Sequence, residues 1–314
     1  MKFDNRIILV LVAVIGIYAI FLFISDFSVI SEKISNFKIN YLPLILFVVV
    51  VSWIPLIIKW HFLLKTSEID IPLTKSIFVW FVGVAFEITP GQIGTLIKSQ
   101  ILKTTSNIPR TKTAAIVLVE KIYDLIGAIL ASIIGIVILG MDFYLIIIAI
   151  LVLAIIFFFM FYRPASEIFF KRVTKTKFFS KYIDNISEFH AIVQKSTNVK
   201  VAGICILLSV TYWFIISAAA YYVLIAFDTH VLDYLTVLAI YATSILLGAI
   251  SFIPAGIGIT EGSIAGLFTL NGIDVSTALI LSVMIRVLTL WFSVCVGFIA
   301  LKFTGALSFR KNSF

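Results

Sequence analysis

The stretch Phe252-Ile-Pro-Ala-Gly-Ile-Gly-Ile-Thr-Glu261, with its near echo Phe86-Glu-Ile-Thr-Pro-Gly-Gln-Ile-Gly-Thr95, decides how the chain folds. Each places proline and glycine inside apolar, helix-forming sequence, where proline removes a backbone donor and glycine weakens the helix. Each is therefore expected to break a helix at bilayer depth, which is tolerated only where protein or a water-filled cavity surrounds the freed amides and carbonyls. Two such breaks point at a site.

The bilayer itself follows from composition. Of 314 residues, 61% are hydrophobic and 13% are charged, against about 25% charged in soluble domains. The chain is expected to be one integral membrane domain, residues 1–314, of the all-α polytopic class. Its net charge of +8 reads first as loop charge that sets orientation, so no nucleic-acid partner is inferred. Cys205 and Cys295 lie in apolar runs, with no paired spacing to suggest a disulfide framework or a zinc site.

Outward from the breaks, six runs read as full spans: Ile7–Ile24, Tyr41–Ile58, Ala114–Leu139, Phe143–Tyr162, Val201–Phe227 and Val275–Leu301. The first is expected to remain as a span, since no small-residue cleavage site follows it. Ser76–Ile88 is short for a span, so Ser76–Thr104 reads as a re-entrant hairpin that enters and leaves on the cytoplasmic side. Tyr234–Leu270 reads as a second hairpin, opening on the other side; the alternative is that Tyr234–Ile253 crosses outright. With this topology only Lys33 and Lys38 of the 24 Lys and Arg residues face outward, while Lys121 and Arg286 lie in spans. The rest are cytoplasmic, as are both termini, and the protein is assigned to the cell membrane. Residues 163–200 form the longest polar segment, a basic cytoplasmic loop. Ile183, Ile186, Phe189 and Val193 fall there at helical spacing, which fits either a surface helix on anionic headgroups or a solvated linker.

Residues 41–139 read span, broken hairpin, span, and residues 201–301 repeat the order from the opposite side. That is an inverted-topology repeat, which transporters use to place a site at the midplane. Pro90 precedes Glu120 by 30 residues and Pro254 precedes Arg286 by 32, so a charge sits at matching depth in each closing span.

A charge at the centre of a spanning helix costs roughly 3 kcal/mol, so it is expected to meet a partner or a wet cavity. Glu120 and Asp124 are four apart and share a helix face. Arg286 could pair with Glu120, Asp124 or Glu261. Glu261 follows the second break closely and is expected to line its opening. Lys121 is read as snorkelling to the cytoplasmic interface, and Lys98 as either doing the same or meeting an anionic headgroup. Lys59 is counted with the cytoplasmic basic residues. The returning arms begin near Gly91 and Gly256, so their amides and positive dipole ends are expected to face the interior, where a phosphate suits them. The candidate substrate-binding set is Thr89, Pro90, Gly91, Gly94, Lys98, Glu120, Asp124, Pro254, Gly256, Gly258, Glu261 and Arg286. An anionic or zwitterionic lipid headgroup fits this mixture, and a soluble anion fits its electrostatics nearly as well.

Trp53, Trp60 and Trp80 read as interface anchors. His61, His190 and His230 read as dispersed loop residues, so no metal site and no cofactor are expected. No Gly-rich phosphate loop, no G-x-S-x-G and no long soluble stretch suggests an enzyme.

The segments Thr89–Lys103 (TPGQIGTLIKSQILK), Glu120–Asp124 (EKIYD) and Ile253–Gly262 (IPAGIGITEG), with Arg286 beyond, resemble the membrane region of lysylphosphatidylglycerol synthases and its free-standing flippase-like relatives. The resemblance covers nearly the whole chain. It implies a membrane protein that moves a lipid or lipid-linked headgroup between leaflets. Thr95 and Lys98 depart from the Glu and Arg common among relatives, which bears on headgroup preference. No aminoacyl-transferase domain is found in these residues, so lysyl transfer is not expected. The alternatives are a small-solute or ion transporter, or a non-transporting partner of a lipid or glycan transferase.

Overall fold

The computed structural model describes residues 37–138, 143–162 and 185–303, with isolated positions between 163 and 184. The predicted span Ile7–Ile24, the turn at 140–142 and the basic tail at Arg310 and Lys311 lie outside the described residues. The described chain is helical throughout, with no strand. Three helical segments, Ile39–Thr66, Val199–Ala226 and Val275–Leu301, are long and apolar enough to cross a membrane.

The first of these is α1 (Leu42–Thr66), begun by proline in its first turn, where a missing N–H costs nothing. Next come α2 (Leu73–Ala85), a 3-10 turn at Pro90–Leu96, and α3 (Ile97–Ser106). α4 (Arg110–Ile138) and α5 (Phe143–Phe161) follow, then α6 (Ile186–Ser196) and α7 (Val199–Ala226). The second half continues with α8 (Tyr234–Ile250), a short 3-10 turn at Pro254–Gly256, and α9 (Ile259–Leu270). α10 (Val275–Arg286) runs through a π-helical turn, Val287–Trp291, into α11 (Phe292–Phe303). Side-chain caps fix several starts: Asp233 accepts from Thr236 N, and Asp274 from Thr277 N, each at 2.9 Å.

Both breaks fall where proline and glycine put them. Gly91 and Gln92 have φ of 58° and 55°, and Ala255 and Gly256 have 55° and 65°. Phe252 is also left-handed, at φ 54°. Such φ values are unusual without glycine, and strain of this kind collects where a structure does work.

Polar contacts divide the bundle into two ends. At one, Glu68 meets Lys195 at 2.6 Å, Lys112 meets Glu188 at 3.6 Å, and Lys75 Nζ donates to Thr105 O at 2.9 Å. The last bond joins the start of α2 to the end of α3, so this helix pair begins and finishes at the same end. At the other, Lys38 N donates to Ala226 O at 2.9 Å, and its ammonium meets Asp228 at 2.7 Å. That bond, with a second from His230, holds the Asp228 carboxyl below the usual carboxylate range. Residues 227–231 lie there beside 272–274, so α8 begins and α9 finishes at this end. α1 runs from one end to the other, and its 25 residues at about 1.5 Å each make roughly 38 Å.

The two helix pairs therefore point at each other from opposite ends, and their 3-10 turns touch. A Cβ built on Gly91 would lie 3.3 Å from the Phe252 ring. Around them α1 packs along α7, α4 along α8, and α11 along α2. Glycine permits the closest of these approaches. At Gly297 a Cβ would lie 2.6 Å from Phe81 O and 2.7 Å from Ala85 N, so only glycine lets α11 rest on the α2 backbone.

Some expectations need correction. Trp53, Trp60 and Trp80 are not interface anchors: they are 7%, 0% and 4% exposed and belong to the core. His61 and His190 sit in α1 and α6 rather than in loops. Helix α1 continues eight residues past the predicted end at Ile58, which carries Lys59 out of the loop and into the interior at 0% exposure.

Candidate functional site

A cavity of about 340 Å³ lies where the two breaks meet. Thr89, Gly91 and Gln92 line it from the first break, and Phe252, Ala255 and Gly256 from the second. Glu87, Lys121, Asp124 and Arg286 supply its charges, and Trp53, Tyr212, Trp213 and Tyr241 its aromatic wall. At its edge Leu125, Phe252 and Ile253 are 37%, 70% and 38% exposed. The π-helical turn beside Arg286 contributes Thr289, whose hydroxyl is 3.2 Å from Tyr241 Oη.

The charges are arranged in pairs. Arg286 Nε donates to Glu261 Oε1 at 2.9 Å, and its Nη2 donates to Ala255 O in the second break. Glu261 Oε2 accepts from Gly258 N at 2.7 Å, closing the start of α9. Of the three candidate partners for Arg286, the structure selects Glu261. That acid is 0% exposed and is not among the residues lining the cavity, so it holds Arg286 there instead. Asp124 accepts from Lys59, whose ammonium also donates to Ser209 Oγ at 2.9 Å. Lys121 does not snorkel: its ammonium is 2.6 Å from Glu87 and 3.6 Å from Asp124.

Lys98 and Glu120 are drawn away from the site. They pair with each other at 2% exposure apiece, the ammonium 4.1 Å from the Trp60 ring centroid and its stem against Gly83. Glu120 thus shares a helix face with Asp124 in sequence but serves a separate contact. The next residue, Lys121, is placed like Arg286: each is a helical cation that meets an acid near a break, and each lines the cavity.

The backbone at the breaks offers fewer free donors than expected. Thr89 Oγ1 accepts from Gly94 N at 2.7 Å, and Gln92 N donates to Thr89 O. Gly256 N and Ile257 N donate to Ile253 O and Pro254 O, and Gly258 N is taken by Glu261. Pro90 and Pro254 set these turns without lining the cavity. Side-chain cations, more than amides, are what this cavity presents to an anion.

Reasoning from sequence missed Lys59, Lys121 and Glu87. A usable signal existed for Lys59: Trp60, Leu63 and Leu64 continue the apolar face of α1 past it, so the helix had no reason to end at Ile58. Glu87 and Lys121 are 34 residues apart, and only the meeting of the first break with α4 joins them.

Long apolar helices, a charge-lined internal cavity and two broken helix pairs define an α-helical membrane protein. The chain belongs to the family described as the lysylphosphatidylglycerol synthase TM region, whose model matches residues 7–297. It is also similar to the UPF0104 membrane protein PH1989 of Pyrococcus horikoshii, at 25% identity over 273 residues, which is 76% of this chain and 80% of the relative.

Proposed function

We propose that this protein translocates membrane lipid or lipid-linked headgroups, flippase-like, through the cavity between the two breaks. In this reading α2–α3 and α8–α9 are re-entrant hairpins from opposite faces of a cell membrane, with both termini cytoplasmic. Residues 41–139 and 201–301 form the inverted repeat. Two exchanges support the repeat: the closing helix α4 packs on the first arm of the other unit, α8, while the closing helix α11 packs on α2. The family's description, which ties this membrane region to synthesis of a modified phospholipid, supports a lipid guest.

The observation that carries the proposal is the single cavity lined by both breaks and by Glu87, Lys121, Asp124 and Arg286. Its 340 Å³ sits at the low end of ligand pockets, about 300–1,000 Å³. That volume holds a headgroup but not two acyl tails. The apolar edge at Leu125, Phe252 and Ile253 leaves the tails in lipid while the polar part enters.

The test is leaflet translocation of fluorescent phospholipids in proteoliposomes. Wild type is expected to exceed protein-free vesicles. Leu246→Trp, which fills the cavity from its wall, and Arg286→Ala are each expected to slow translocation about tenfold or more, the loss of one charge-assisted contact or its steric equivalent. Wild-type rates equal to those of empty vesicles remove the proposal.

A further inference from the structure

The two cations that line the cavity are held in unlike ways. Arg286 and Glu261 are 4% and 0% exposed, both Glu261 oxygens are engaged, and Arg286 also grips Ala255 O. This pair is buried and held by several bonds. Lys121 and Glu87 are 23% and 25% exposed, and Glu87 stands in the non-helical link between α2 and the Pro90 turn. Lys121 has a second acid within its own helix, Asp124 Oδ2 at 3.6 Å. A wet pair with one end on a break exchanges partners far more readily than a dry one.

Charge balance then selects the guest. Around the cavity each cation has its own acid: Lys59 with Asp124, Lys121 with Glu87, Arg286 with Glu261. A guest bearing only a phosphate would take Lys121 and leave Glu87 as an uncompensated charge inside the protein, a costly outcome. A guest bearing a phosphate and an amine repays both partners at once.

We propose that Glu87–Lys121 is the pair that opens to admit the guest, and that the guest is an electrically balanced headgroup: its phosphate on Lys121, its amine on Glu87 and Asp124. The inference rests on the reading of the cavity as a headgroup site. Opening this pair frees the first break from α4, while Arg286 continues to hold the second. A zwitterionic lipid and a soluble phosphoamine share this chemistry, and the test separates them.

In detergent, purified protein is titrated with glycerophosphoethanolamine and with glycerophosphoglycerol. Tryptophan emission is the readout, since Trp53 and Trp213 line the cavity. Wild type is expected to bind the amine-bearing probe about tenfold tighter, the worth of one charge-assisted bond. Glu87→Gln erases the preference by weakening that probe alone, and Lys121→Ala weakens both. If Lys121→Ala fails to fold, the Glu87→Gln comparison still decides. In proteoliposomes phosphatidylethanolamine is expected to cross faster than phosphatidylglycerol, with the difference lost in Glu87→Gln. Equal binding of the two probes by wild type, or an unchanged preference in Glu87→Gln, overturns the inference. Preference for the amine probe without lipid translocation sustains the exchange site, assigns it to a soluble guest and ends the flippase reading.

Discussion

Lys98 and Glu120 show how a charge inside the bundle earns its place. The ammonium lies over the Trp60 ring, the stem fills the groove left by Gly83, and both charges are out of water. Breaking such a pair costs about 3–5 kcal/mol, whereas replacing both members by apolar side chains is often neutral. Lys98→Met is therefore expected to lower the thermal unfolding midpoint sharply, and Lys98→Met with Glu120→Leu to recover most of it. A double variant no more stable than the single one would show that the pair does more than join α3 to α4. That these residues lie in apolar surroundings was legible from sequence, because charge amid long apolar runs is conspicuous. Which acid meets which cation was not. Partner choice depends on helix rotation and on which segments become neighbours, and neither leaves a mark in local spacing. Glu120 and Asp124 look equivalent at four residues' separation, yet one is buried with Lys98 and the other faces the cavity.

Elements obey the same division. The break positions and the shortness of α2 could be read directly, because proline and glycine act locally on backbone conformation. Close approaches could not. Gly297 is one glycine in an apolar run until α2 is laid against it. With backbone atoms at 2.6 and 2.7 Å from its would-be Cβ, Gly297→Ala is expected to push α11 off α2 and cost about 1–3 kcal/mol. Gly203→Ala on α7, where nothing lies within 4 Å, is expected to be neutral or slightly stabilising. Thermal unfolding of both variants in one detergent checks this, and equal midpoints would remove the claim that the contact is tight.

For the whole molecule, the two-ended arrangement gives a topological prediction. Thr104 lies near the mouth of the first helix pair and His230 near that of the second, at opposite ends of the bundle. After Cys205 and Cys295 are changed to serine, Thr104→Cys is expected to react with an impermeant maleimide only once the cytoplasmic face is exposed. His230→Cys is expected to react from outside. Labelling of both from one face would refute opposed hairpins. The positive-inside bias supplies the orientation that this labelling tests, although Lys59 is an interior residue rather than a loop cation.

One consequence of the pairing extends to energetics. Each cation beside the cavity faces a carboxylate, so the site as a whole places no net charge in the transmembrane field. An unpaired charge would feel about 2.3 kcal/mol for every 100 mV. Under the proposed translocation a balanced guest adds no net charge, so turnover is expected to be equal in polarised and depolarised vesicles of one lipid composition.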